Sequence, residues 1–228
     1  MLVLIIYIFS ILYASVGVAA STCPIKVGFP EEIAAAASLK NEIKDLFKQI
    51  NCDVNIVVLP GRRILRKLER GELDGDAIRF RSIEAHYSFP FVRTQNPIIH
   101  NIRLGIWASA EKPNTLPVGP IGYISGTQWH RDYLSSKSAN TKTARFLNLE
   151  QMLSAYNNGR ISHFLSSSLV MKHIMNAPTD KNKPIEISVI QKQNAYLYLN
   201  RKFTHIVNKI DEFIKTPIYR DNLQTTYQ

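Results

Sequence analysis

Two arginines, Arg79 and Arg81, end the stretch GRRILRKLERGELDGDAIRFR, which begins at Gly61. They lie two residues apart in an apolar segment with strand character, so they share one face of that strand. A guanidinium group binds a carboxylate with two parallel hydrogen bonds, and such charge-assisted pairs are roughly twice as strong as neutral ones. One hypothesis is therefore that Arg79 or Arg81 binds an anionic ligand. The alternative is that both arginines pair with Glu72 or Glu84 on the surface.

Other residue types that could carry chemistry show no such pattern. The six histidines contain no pair at metal-ligand spacing, and only two cysteines accompany them. The chain has no G-x-S-x-G nucleophile motif, no G-x-x-x-x-G-K phosphate loop and no dinucleotide-binding fingerprint. We therefore predict no metal site, no cofactor and no catalytic residue, and we expect a protein that is not an enzyme.

The elements that position the arginines alternate between strand and helix. Apolar runs with β-branched residues predict strands, and apolar residues at helical spacing predict helices. In chain order the first unit comprises CPIKVGF as strand, Glu31 to Ile50 as helix, CDVNIVVLP as strand, GRRILRKLERGE as helix and LDGDAIRF as strand. Alternation of this kind favours an α/β fold whose parallel strands are joined by right-handed crossovers.

A second unit repeats this alternation after a break. His86 to Asn101 contains two prolines and is predicted to form turns, IRLGIWAS follows as a long strand, and Ser109 to Pro117 leads into the second unit. That unit is predicted as VGPIGYI strand, Thr127 to Leu134 helix, ARFLNL strand, Glu150 to Asn158 helix and ISHFLSS strand. IEISVIQ and AYLYLN are then two strands, and Phe203 to Lys215 is a closing helix.

The first twenty residues carry no charged side chain and have Val18 and Ala20 at the positions where a signal peptidase requires small residues. They predict an export signal that is cleaved after Ala20. The alternative is an uncleaved membrane anchor, because about twenty apolar residues can span a bilayer. Export predicts a periplasmic protein.

The two cysteines, Cys23 and Cys52, both lie in the exported part. An even number of cysteines in an oxidising compartment predicts one disulfide bond, and the alternative is two unrelated buried thiols. The 228-residue chain has a formal net charge of +10, which favours an anionic ligand or anionic surroundings. An exported protein rarely meets a nucleic acid, so we predict no nucleic-acid partner.

The order of these parts resembles that of the family 3 extracellular solute-binding proteins, which include amino-acid-binding components of ABC transporters. The resemblance rests on LERGELDGD before a strand, the step SFPF, the turn GYISGT, and a late AYLYLNRKF before the closing helix. It implies the two-lobed type II periplasmic-binding-protein fold, in which each lobe has a central, mostly parallel sheet flanked by helices and two strands cross between lobes. Residues 21–108 and 190–228 would form one lobe, and residues 109–189 the other.

The resemblance also implies a function. A monomeric periplasmic protein would capture a small carboxylate-bearing solute, an amino acid or a related organic acid, between its lobes and present it to a membrane permease or a sensor. The alternatives are an enzyme on the same scaffold, similar to dehydratases, and a protein-interaction module without a ligand site.

The site residues follow from the resemblance as well. In the family, an arginine after the third strand and backbone amides at the start of the second lobe's first helix bind the ligand carboxylate. These positions correspond to Arg79, with Arg81 as competitor, and to Gly126 and Thr127. Apart from the resemblance, Phe29 directly follows the first predicted strand and could stack on the ligand or cover the cleft, and the alternative is that it packs in the core. The family's amino-acid binders carry an acidic residue near the segment GRISHFLSSS, where this chain offers His163 and Ser166 to Ser168 but no carboxylate.

Overall fold

The computed structural model describes residues 23–24, 26–34, 37–88, 90–109, 119–175, 183–217 and 219. The predicted export signal and the connection over residues 110–117 lie outside these residues. No helix in the described part combines the length and apolar character needed to cross a lipid bilayer.

The described residues contain nine strands, six α-helices and three short 3₁₀ turns. The strands are β1 Lys26–Pro30, β2 Asn55–Leu59, β3 Gly75–Phe80, β4 Phe91–Arg93, β5 Ile99–Ser109, β6 Ile121–Ile124, β7 Thr143–Phe146, β8 His163–Ser167 and β9 Pro184–Asn200. The helices are α1 Ala37–Gln49, α2 Gly61–Glu69, α3 Gln128–Ser135, α4 Leu149–Asn157, α5 Ser168–Met175 and α6 Thr204–Ile214. The 3₁₀ turns cover Glu31–Ile33, Arg81–Ala85 and Arg201–Phe203.

One mixed sheet in the order β2-β1-β3-β9-β5-β8-β6-β7 organises the molecule, and β4 pairs with β9 beside this path. The triplets β2-β1-β3 and β8-β6-β7 are each parallel, as the alternation of strand and helix predicts. Between the triplets run the long strands β5 and β9, which pair with each other antiparallel from Ile99 opposite Ala195 to Ser109 opposite Pro184. The predicted α/β class, with two strands connecting two parallel units, is confirmed.

Several predicted elements differ from the structure. The two strands predicted at IEISVIQ and AYLYLN form the single strand β9, because Lys192 and Gln193 between them pair with Arg103 and Ile102 of β5. The segment predicted as turns contains β4, which pairs with the end of β9. The helix predicted from Glu31 to Ile50 is interrupted: a 3₁₀ turn ends at Ile33, and α1 begins at Ala37.

A continuous apolar core lies under the first triplet and reaches along β5 and β9. The helix α2 packs Ile64, Leu65 and Leu68 against this half of the sheet and exposes its arginines. A separate cluster that includes Met152, Phe164 and Met171 forms the core of the second unit. The predicted disulfide between Cys23 and Cys52 is formed, and it connects the chain before β1 to the chain before β2.

Candidate functional site

A cleft opens where the carboxyl ends of the two parallel triplets face each other. Its empty space, mouth included, is about 1000 Å³. Ligands of open α/β folds bind at this edge of the sheet, beyond the carboxyl ends of the strands. We call the residues from β1, the 3₁₀ turn after β1, α2, β3 and the 3₁₀ turn after β3 the first wall. Those from β6, the turn between β6 and α3, α3, β8 and α5 are the second wall.

Arg79 dominates the first wall. Its Nε donates a hydrogen bond to Oδ2 of Asp76 over 2.6 Å, and its Nη2 donates to the carbonyl oxygen of Gly61 over 3.3 Å. A guanidinium group has five N–H donors, so three remain. Within the described part of the chain no protein group accepts them, and the side chain, 15% exposed, lines the cleft. Arg79 is therefore held in place by two bonds and offers its remaining donors to the cleft.

Asp76 anchors Arg79 from below. Its side chain is completely buried, and its Oδ1 also accepts a hydrogen bond from the Ile78 amide over 3.4 Å. Burial raises the pKa of Asp76 because it disfavours the charged form, while the neighbouring Arg79 guanidinium acts in the opposite direction. Neither group of this pair can be removed without leaving the other in an unfavourable environment.

Glu32 brings a carboxylate to the same wall, from the 3₁₀ turn that follows β1. Its Oε1 accepts a long hydrogen bond of 3.5 Å from the Gly61 amide. Gly61 itself has no side chain between the two charged groups: a Cβ there would lie 3.1 Å from Nη1 of Arg79 and 3.8 Å from Oε1 of Glu32. Both charged groups thus contact one glycine, which begins α2.

The second wall presents the beginning of α3. Gly126 has a φ of +93°, a backbone conformation that favours glycine, and Thr127 precedes the helix in an extended conformation without a side-chain cap. The first backbone N–H groups of a helix have no partner within it and attract negative charge. Gly126 and Thr127 line the cleft on the wall opposite Arg79, and the Thr127 amide donates a long hydrogen bond of 3.5 Å to the Ile124 carbonyl oxygen. The walls also meet here, since a Cβ on Gly126 would lie 3.6 Å from Cβ of Arg62.

His130 and Trp129, on the first turn of α3, are buried beneath this helix end and line the cleft. Burial lowers the pKa of His130 to about 3, so its imidazole is neutral at physiological pH. Its Nδ1 lies 3.2 Å from the amide nitrogen and 3.3 Å from the carbonyl oxygen of Ile124. The Trp107 indole, by contrast, lies in the core of the second unit and donates to the Ser166 carbonyl over 3.1 Å.

The structure brings three of the predicted site residues together in the cleft, namely Arg79, Gly126 and Thr127. Arg81 does not line it: this side chain is 65% exposed and pairs with Glu84 over 3.3 Å, as the surface alternative proposed. Glu84 also accepts hydrogen bonds of 2.8 Å from Arg93 Nε and the Tyr198 hydroxyl. Arg79 and Arg81 therefore occupy different surroundings.

Phe29 and His163 also lie away from the cleft. Phe29 is fully buried in the core of the first unit, where it packs under the sheet. His163 begins β8, pairs in register with Ala108 and Ile121, and has its Nδ1 3.1 Å from the Ser162 hydroxyl. Burial lowers its pKa. Glu32 is the cleft residue that the sequence analysis missed, although its position directly after a strand of the parallel triplet could have indicated it.

No protein-family model and no curated protein sequence matches this chain. Solved structures match its fold. A substrate-binding protein of an ABC uptake transporter from Streptococcus pneumoniae, with bound histidine, is 12% identical, with a TM-score of 0.72 over 90% of this chain and 92% of that one. An ancestral arginine-binding protein bound to arginine is 12% identical, with a TM-score of 0.68 over 89% of this chain and 97% of that one.

A third matching structure is an ancestral amino-acid-binding protein described as a precursor of cyclohexadienyl dehydratase. It is 13% identical, with a TM-score of 0.68 over 89% of this chain and 94% of that one. Identities this low establish the fold and not the activity. The chain has the two-lobed α/β fold of the type II periplasmic binding proteins, as the family resemblance implies.

Proposed function

We propose that this protein is a periplasmic solute-binding protein that captures a small carboxylate-bearing solute in the cleft between its lobes. The observation that carries the proposal is the placement of Arg79: three guanidinium donors that have no acceptor among the described residues line the same cleft as the start of α3. Several solved proteins of this fold are described as amino-acid-binding.

A carboxylate fits between these groups for a physical reason. Arg79 supplies a planar pair of donors that matches the two carboxylate oxygens, and its tether to Asp76 removes much of the entropy cost of ordering a long side chain. The start of α3 supplies backbone amide donors with partial positive charge from the other wall. A ligand that contacts both walls stabilises the closed arrangement of the lobes.

The remaining parts of the proposal concern location and partners. Residues 1–20 would be a cleaved export signal, residues 21–108 and 190–228 the first lobe, and residues 109–189 the second. The Cys23–Cys52 disulfide supports an oxidising compartment such as the periplasm. The loaded monomer would then present its solute to a membrane permease or to a sensor.

The experiment is a binding titration of purified protein from which carried ligand has been removed by unfolding and dialysis. Amino acids and simple carboxylic acids are tested by thermal shift and calorimetry, since a ligand that binds only the folded state raises its stability. Arg79→Lys keeps a positive charge beside Asp76 but loses the planar pair of guanidinium donors. We therefore expect at least about a tenfold loss of ligand affinity. Arg81→Lys is the matched control and should bind normally.

Equal affinity in the Arg79→Lys and Arg81→Lys proteins would contradict the proposed site. Conversion of a tested compound into a product would identify the protein as an enzyme on this scaffold, the alternative that the dehydratase precursor among the matching structures favours. No response to any carboxylate would reject the proposed function.

A further inference from the structure

We infer that the exposed side of α2 binds the surface of an anionic phospholipid bilayer. We call this side the basic face, and it consists of four exposed arginines, Arg62, Arg63, Arg66 and Arg70. The groups that it recognises are the phosphates of the lipid headgroups. Such binding would raise the concentration of the protein next to a membrane permease or sensor, and it does not depend on which solute the cleft takes.

The first step is that the charges of the basic face lack counter-charges. Among the described residues, no carboxylate oxygen lies within 4.0 Å of the guanidinium nitrogens of Arg62, Arg63 or Arg66, and none of these three side chains makes a hydrogen bond. Arg70 has one long ion pair of 3.8 Å, with Glu72. Three uncompensated positive charges are therefore exposed to solvent within five consecutive residues of one helix.

The second step is that the basic face opposes the stability of its own helix. Arg62 and Arg63 lie in the first turn of α2, which contains no acidic residue, and the positive end of the helix dipole disfavours cations there. Arg62, Arg66 and Arg70 follow one another at intervals of four residues, where like charges on a helix repel. Local arrangements that weaken the folded state are expected where a protein makes functional contacts. A negatively charged surface outside the protein would supply the missing compensation.

The third step concerns the kind of partner. Among the described residues, the exposed large apolar side chains are Val58, Leu147 and Val189, and none of them belongs to α2. Interfaces with folded proteins are centred on apolar and aromatic anchors, which the basic face does not offer. A bilayer requires no such anchor, because anionic lipids give its surface a negative potential that attracts clustered basic residues. Guanidinium groups also match phosphate oxygens with two parallel hydrogen bonds. The basic face therefore fits a bilayer better than it fits a folded protein.

The fourth step is that α2 can bind a bilayer only through its charges. Its apolar residues, Ile64, Leu65 and Leu68, are buried in the protein. Ile64 lies so close to the sheet that a Cβ on Gly28 of β1 would be 2.7 Å from its Cγ2. A helix that inserts into the membrane surface must instead turn its apolar side to the lipid. Binding should therefore require anionic lipid and should weaken as salt screens the charges.

The test is co-sedimentation of the purified protein with lipid vesicles at low and at physiological ionic strength. One set of vesicles contains phosphatidylglycerol and phosphatidylcholine in equal parts, and the other contains phosphatidylcholine alone. Wild type is compared with the glutamine variant Arg62→Gln/Arg63→Gln/Arg66→Gln, which removes the three uncompensated charges. A lysine variant, with Lys in place of Gln at the same positions, keeps the charges and loses the guanidinium groups.

The matched control is Lys40→Gln/Lys44→Gln/Lys48→Gln, which removes three positive charges from α1. This helix belongs to the core that contains Phe29, whereas α2 packs over Gly28. Neighbouring residues of a strand point to opposite faces of the sheet, so the control changes the charge on the side away from the basic face.

We expect wild type to bind the anionic vesicles and not the neutral ones. The glutamine variant should bind the anionic vesicles about 100-fold more weakly, because each arginine near an anionic surface contributes roughly fivefold. The lysine variant and the α1 control should bind nearly as well as wild type. The glutamine variant should also unfold at no lower urea concentration than wild type, since it removes repelling charges, and this result would exclude misfolding as the cause of lost binding.

Three results would overturn the inference. Equal binding of the glutamine variant and the α1 control would assign the effect to the net charge of the chain and not to the basic face. Binding to neutral vesicles that the glutamine substitutions leave unchanged would assign it to an apolar attachment. Binding to poly-L-glutamate without binding to anionic vesicles would assign the basic face to an acidic protein partner. None of these results bears on the proposed function, which the titration with carboxylates decides separately.

Discussion

The two walls of the cleft hold their polar groups by different means. The first wall presents charged side chains, Arg79 and Glu32, and fixes Arg79 through the buried carboxylate of Asp76. The second wall presents the backbone amides at the start of α3 and the neutral imidazole of His130, with Arg131 as its charged residue. Substitutions should therefore act through charge on the first wall and through backbone conformation and burial on the second.

The largest expected effect concerns the unit behind the first wall, which the disulfide crosslinks. Replacing Cys23 and Cys52 together by serine should lower the free energy of unfolding by roughly 3–4 kcal/mol, the chain-entropy estimate for a loop of about thirty residues. Urea denaturation of the double variant measures this change. An unchanged unfolding midpoint would mean that the disulfide does not stabilise the folded protein. The first unit would then gain no stability over the second unit from its crosslink.

Next in size is the buried pair of the first wall. Arg79→Ala leaves Asp76 buried without a partner and should cost about 3 kcal/mol at neutral pH, whereas Arg81→Ala removes an exposed pair and should cost less than about 0.5 kcal/mol. Denaturation curves of the two variants give the comparison directly. Equal losses of unfolding free energy in the two variants would show that the Arg79 pair stabilises the protein no more than the Arg81 pair does.

The same pair has a pH dependence with a defined sign. Burial raises the folded-state pKa of Asp76 above its ordinary value of 3.8, so stability from this group is fully present below that value and is lost as pH rises through the folded pKa. Without the Arg79 guanidinium, which lowers the pKa of Asp76, the folded-state pKa of Asp76 rises further. The deficit of Arg79→Ala relative to wild type should therefore shrink as the pH is lowered, and a deficit that grows in acid would contradict the assignment.

His130 should give the second wall the opposite dependence. Its folded pKa is lowered from 6.5 to about 3, so the stability associated with the neutral ring is present above 6.5 and is lost progressively as pH falls toward 3. At about pH 5 the loss should be about 2 kcal/mol. His130→Asn, which keeps a polar group near the Ile124 backbone, should flatten this part of the stability profile. An identical acid response in both proteins would place the titrating group elsewhere.

The smallest expected effect is that of backbone conformation at Gly126. Gly126→Ala should cost about 1–2 kcal/mol, because alanine is strained at a φ of +93°. Gly71→Ala is the matched control, since Gly71 has a φ of +69° and open space around it. Both variants should lose similar stability, but the Gly126 variant alone should lose ligand affinity in calorimetry, because its amides belong to the second wall. Equal affinities would remove Gly126 from the site.

The sequence predicts the two parallel units because their apolar runs alternate regularly with amphipathic helices. The resemblance to the solute-binding family indicates Arg79, with Arg81 as its competitor, and Gly126 and Thr127. Whether Arg79 or Arg81 enters the cleft depends on the buried carboxylate three residues before Arg79, and a pattern of residue types does not show which of the two has that partner.

The features that the sequence analysis missed depend on tertiary contacts. Strand β4 has three residues and forms because β9 extends far enough to pair with it. The sequence analysis placed Glu32 in one helix from Glu31 to Ile50, because the apolar residues that follow it recur at helical spacing. In the structure Glu32 lies in the 3₁₀ turn that ends at Ile33, and it lines the cleft instead of lying on a helix surface. The predicted export signal remains a prediction.

The positions of the two tryptophans have a practical consequence for following ligand capture by light. Trp129 borders the cleft, while Trp107 is enclosed in the core of the second unit. Indole emission shifts with the polarity of its immediate surroundings, so a guest that displaces water should change the signal of Trp129 and leave that of Trp107 constant. Trp129 emission therefore reports ligand binding, and Trp107 emission serves as an internal reference. Stopped-flow fluorescence can measure the rate of binding without an attached dye.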